Sequence, residues 1–92
     1  MTEMDKLVQL LNMEDIPFQV RFIHNTKQVC YPAVGGKCVC DAVCHKWSYG
    51  YDEGLLEIMG LVEDRDDDVE GWLSAFEVFR RIKNHYLQTK AE

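Results

Sequence analysis

The sequence predicts an α+β domain: an antiparallel meander sheet of three to four strands with an N-terminal and a C-terminal helix, in the order α-β-β-β-β-α. Three observations predict it. Apolar residues recur at helical spacing near the two ends, the period falls to two between them, and turn-forming residues separate the extended runs. Ninety-two residues make a single domain, 1–92, with no room for a second core. At 47% hydrophobic and 11% aromatic, the chain has the apolar material that disordered segments lack.

Residues 2–14 read as the first helix. Met4, Leu7, Val8 and Leu11 form one apolar stripe, and Thr2 stands where an N-cap would, with Glu3 and Asp5 near the positive end of the dipole. After Pro17 the period becomes two. Phe18, Val20 and Phe22 are expected to face the core, alternating with Gln19, Arg21 and Ile23. Asn25-Thr26-Lys27 reads as a turn, and Gln28 to Val34 runs extended again. Gly35-Gly36 supplies a two-residue hairpin turn, returning a third strand over about Lys37 to His45. That register sets Cys30 opposite Asp41 and Tyr31 opposite Cys40. Residues 38–47 also fit a helix through Cys40, Val43, Cys44 and Trp47, so the period leaves both open. Leu55 to Val62 reads as a fourth strand and Glu63 to Glu70 as an acidic loop. Ser74, followed three residues later by Glu77, is a capping box that starts the last helix. It runs to about Gln88, with Ala75, Phe79, Ile82 and Tyr86 on its inner face.

A net charge of −6 argues against direct nucleic-acid binding and against docking on anionic membranes. A basic protein surface, such as one that itself holds nucleic acid, is the electrostatic complement. The N-terminal segment lacks the pattern of a signal peptide, and no apolar run reaches the ~18 residues of a membrane span. The expected location is the cytoplasm, where Cys30, Cys38, Cys40 and Cys44 would be free thiols or metal ligands and not disulfides.

Four cysteines and His45 within sixteen residues suggest zinc, which wants four converging N or S ligands. The paired C-x2-C spacing is missing, however, and strand alternation sends Cys30 to one face and Cys38, Cys40 and Cys44 to the other. The expectation is therefore no metal and no cofactor, with a small zinc-binding structural module as the alternative. Cys44 and His45 are neighbours on a strand and face apart, so they cannot form a nucleophile–base pair. G-x-S-x-G, HExxH, P-loop and GxGxxG patterns are all lacking. The chain is read as not an enzyme, a small enzyme or nucleotide-binding domain being the further alternative.

Two stretches are candidates for partner binding. Glu63, Asp64, Asp66, Asp67, Asp68 and Glu70 place six carboxylates in eight residues. Such a run is usually a solvated loop, and here it could also imitate nucleic-acid phosphate. Trp47, Tyr49 and Tyr51 surround Gly50, and aromatic residues are enriched at interface hot spots, although rings also pack over sheet ends. Both predicted sheet faces carry apolar residues, so each helix covers one face or a second subunit does, which keeps a homodimer open.

The stretch Ser48-Tyr49-Gly50-Tyr51-Asp52-Glu53-Gly54-Leu55-Leu56-Glu57-Ile58-Met59-Gly60-Leu61, with the later Gly71-Trp72-Leu73-Ser74-Ala75-Phe76-Glu77-Val78-Phe79, resembles a family of short uncharacterised proteins from phages and prophages of Gram-positive bacteria. The resemblance covers residues 38–88 and does not include the cysteines. It implies a phage accessory protein that acts by protein–protein contact. An inhibitor of a host nucleic-acid-binding defence protein is one such role. No activity is assigned to that family, so no site residue is carried over.

Overall fold

The computed structural model describes residues 1–33, 38–63 and 67–91. The chain is α+β: helix α1 (Glu3–Met13), strands β1 (Gln19–Ile23), β2 (Thr26–Tyr31), β3 (Cys40–Val43), β4 (Leu56–Met59) and β5 (Val69–Leu73), then helix α2 (Ala75–Ala91). The strands form one antiparallel sheet in the order β1-β2-β3-β4-β5. The meander thus has five strands where three to four are expected. The added one is β5, which takes Val69 and Glu70 out of the expected acidic loop.

Local chemistry sets the helix ends. The Thr2 hydroxyl accepts from the Asp5 N–H at 3.0 Å and Asp5 accepts in return from the Thr2 N–H, closing a capping box on α1. Ser74 and Glu77 repeat the device on α2, as their spacing predicts. Glu3 couples the two helices, since its carboxylate accepts from the Ala75 N–H at 2.8 Å. That bond, and the ion pair with Lys6, hold the Glu3 carboxyl below its ordinary pKa.

Within residues 38–47 the strand is Cys40–Val43 alone, with no helix, and it sets Cys40 opposite Tyr31 and Asp41 opposite Cys30, the register read from the sequence. The expected Gly35-Gly36 turn lies outside the described residues. At the first hairpin the turn is His24-Asn25, both at positive φ (50° and 61°), and Thr26 and Lys27 belong to β2. β4 is shorter than the expected Leu55–Val62 run.

One sheet face is dry. Val29, Tyr31, Cys40, Ala42, Leu56 and Ile58 are fully or almost fully buried against Leu7, Leu11, Val78, Phe79 and Ile82 of the two helices. Both helices lie on this face, which corrects the expectation that each could cover one. A second correction concerns β1. Val20 pairs with Val29 and is directed to the helix side, but the edge strand overhangs the helices and leaves Val20 and Phe22 exposed, Phe22 by 75%. Alternation assigned the face correctly, yet a face is covered only as far as the helices reach.

The cysteines give the third correction. Cys30 and Cys38 form a disulfide. The alternation argument fails at Cys38 because it precedes β3 in irregular backbone, free of the strand's period, and its sulfur reaches Cys30. Cys40 and Cys44 are free thiols; burial pushes the Cys40 thiol up to about 12.

Candidate partner-binding surface

The described residues of the acidic segment divide by what they pair with. Glu70 lies opposite Ile58, on the helix side of β5, where its two carboxylate oxygens accept from Arg81 at 2.7 Å each. The Arg81 side chain is only 8% exposed, so this fork is largely sheltered from water. Glu63 adds a hydrogen bond from Arg80 at 2.8 Å. It also lies 2.8 Å from Arg81 Nε, off the direction a hydrogen bond needs. The guanidinium hydrogen bonds hold both glutamates below the usual carboxylate range. These two candidate residues therefore tie the β4–β5 connection to α2. Asp64 and Asp66 lie outside the described residues.

Asp67 and Asp68 are exposed. With Trp47, Tyr49, Glu57 and Trp72 they line an open groove of about 790 Å³ at one end of the sheet. Trp47 is 64% exposed, and Tyr49 and Trp72 are 56% exposed each. Tyr49 and Trp72 stack with ring centres 5.5 Å apart and planes 18° apart. Tyr51, also exposed, begins a single 3-10 turn beside the groove.

The backbone is shaped around this stack. Trp72 has φ of 57°, a left-handed conformation that costs a bulky residue of order 1 kcal/mol or more. Its N–H donates to the Tyr49 carbonyl at 3.3 Å. A side chain at Gly71 would meet the Tyr49 Cβ at 2.2 Å, and one at Gly50 would meet the Trp72 backbone at 2.9 Å. Two glycines thus let the 47–51 segment lie directly on β5. The Glu57 carboxylate fixes the same segment by accepting from the Tyr49 N–H at 2.7 Å.

Beside the groove, His24, His45 and Trp47 meet edge to face, with His24 5.0 Å from His45 and 4.8 Å from Trp47. The Lys46 ammonium sits 4.9 Å from the Trp47 ring centre. Among the described residues no three His, Cys, Asp or Glu side chains converge as a metal site. A second cleft, of about 520 Å³, is lined by Thr2, Asp5, Lys27, Cys44 and neighbours. Its polar groups already serve the α1 cap and the Lys27–Asp5 ion pair, so it has less to offer a partner.

The structure therefore brings Trp47 and Tyr49 together with Asp67 and Asp68. Glu70 also borders this groove, but its carboxylate is taken up by Arg81, and Glu63 does not line the groove. Sequence reasoning missed Trp72 and Glu57. Trp72 carried a signal, for a tryptophan directly after a glycine on a short strand is a site of close backbone approach. Among the described residues, no helix is long and apolar enough to cross a membrane. Compared with known families, curated proteins and solved structures, the chain matches none.

Proposed function

We propose that this protein is a non-enzymatic binding module that docks a basic protein surface in its aromatic, acid-lined groove. The observation that carries this reading is the convergence of three exposed rings, Trp47, Tyr49 and Trp72, with the carboxylates of Glu57, Asp67 and Asp68. Exposed rings in water forfeit burial worth roughly 25 cal/mol per Å², which a partner would recover. The carboxylates add attraction and orientation for a cationic partner, and the net charge of −6 repels nucleic acid itself. In the phage setting that the sequence resemblance implies, the partner would be a host nucleic-acid-binding defence protein, met in the bacterial cytoplasm.

The test is affinity capture from a bacterial lysate, followed by titration of each captured protein in purified form. The expected partner binds less tightly as salt rises, because charge pairs in water are screened over about 8 Å at physiological ionic strength. Replacing Asp67 and Asp68 together by Asn should weaken binding by roughly threefold to tenfold while leaving the melting temperature unchanged. Affinity indifferent to both salt and this substitution would overturn the reading.

A further inference from the structure

We propose that the feature recognised in the groove is an arginine side chain of the partner, its guanidinium lying flat on the Tyr49–Trp72 stack with its N–H groups directed to neighbouring carboxylates. This rests on the reading of the groove as a site for a basic protein surface, and it goes further by selecting arginine over lysine.

Three observations select it. The first is the platform. The two rings are stacked within 18° of parallel and each residue is more than half exposed, which leaves aromatic surface open to solvent. A planar, weakly hydrated guanidinium stacks on such a surface, whereas a compact ammonium must give up more water to approach it. The second is the rim. Glu57 is fixed at the edge of the stack by the Tyr49 N–H, and Asp67 and Asp68 line the same groove. A guanidinium can face a ring and still present its in-plane N–H fork to carboxylates, which a point charge cannot do. The third is vacancy by position. Lys46 of the chain itself already sits over the Trp47 ring, so the partner's cation is directed to Tyr49 and Trp72. The close approach that Gly71 and Gly50 allow seats the backbone of Trp72 directly against the Tyr49 segment.

The experiment uses the intact protein and two probes of equal charge, hexa-arginine and hexa-lysine peptides. Binding is followed by tryptophan fluorescence and by amide and indole NMR shifts, at matched ionic strength. The expected result is that hexa-arginine binds roughly fivefold or more tightly than hexa-lysine and shifts the Trp72 indole and Tyr49 resonances. Trp72→Gly removes the ring and suits the positive φ; it should abolish the difference between the peptides. Equal affinity of both peptides in the groove would sink the arginine proposal alone and leave the basic-surface reading standing. If neither peptide perturbs the groove, both readings fail. The wild-type comparison stands by itself, so a poorly folded variant does not rescue the idea.

Discussion

The two faces of the sheet are built from the same strands and do opposite things. On the helix side, Val29, Ala42 and Ile58 are fully buried, and nearly every contact is apolar. On the reverse, alternation brings up Gln28, Asp41, Glu57 and Met59, with Met59 exposed and Asp41 half-buried. Both helices lie on one face, so among the described residues no helix covers the other. Stability is concentrated on one side, which frees the other to carry polar groups and exposed rings.

Substitutions should divide along that line. Ile58→Ala on the covered face should cost about 2–5 kcal/mol by lost transfer energy and a residual cavity, read by urea denaturation. Phe79→Asp, also under the helices, should prevent stable folding by burying an unpaired charge. Val20→Asp, on the overhanging edge, should cost under about 1 kcal/mol. A Val20→Asp loss as large as that of Ile58→Ala would mean that β1 is covered in solution, by a second copy or otherwise.

Much of the covered face was legible in the sequence. Met4, Leu7 and Leu11 on α1, Ala75, Phe79 and Ile82 on α2, the Thr2 N-cap, the Ser74–Glu77 capping box and the β2–β3 register followed from periodicity and cap chemistry. These depend on neighbours within a few residues. The extent of coverage did not follow, because how far α1 and α2 reach over β1 is a property of the assembled fold. The fifth strand was hidden by Asp66, Asp67 and Asp68, whose charge reads as loop, and by Gly71 in place of a side chain suited to a sheet. The site was half legible: exposed aromatics and acids could be listed, but only β5 pairing beside β4 brings Trp72 onto Tyr49.

The next prediction falls where one charge does belong to the covered side. Glu70→Gln takes from the sheltered Arg81 guanidinium its hydrogen-bonded carboxylate, leaving Glu63 as its anionic neighbour, and should cost about 1–3 kcal/mol at neutral pH. Because Arg81 holds the folded Glu70 carboxyl below its ordinary pKa, the bridge stabilises at pH above about 4.3 and is lost as pH falls through the lower folded value. The wild type should therefore lose stability more steeply on acidification than the variant. Parallel curves through the acid range would show that the fork contributes little.

The smallest effect, and the sharpest test of the open face, is expected at Asp41. Its carboxyl is half-buried at mid-sheet, accepts from Gln28 Nε2 at 3.2 Å, and has Glu57 as an unfavourable neighbour. Burial raises its pKa more than the Met59 backbone N–H, Arg21 and Gln28 lower it. A carboxyl whose folded pKa exceeds the unfolded value stabilises only when protonated. That contribution is complete below about pH 3.9 and is lost as pH rises through the folded value, so ionised Asp41 is a net cost at neutrality. Asp41→Asn keeps the size and the acceptor for Gln28 while removing the charge. It should raise stability at pH 7 by up to about 1 kcal/mol and leave stability at pH 3 nearly unchanged. The pH dependence separates this from a general change in packing, which would shift both values alike. A loss at pH 7 would instead mean that the ionised carboxylate is held by Arg21 and the Met59 N–H more strongly than burial opposes it. The open face would then have its own structural charge network, and the division of labour between the two sides of the sheet would fail at its centre.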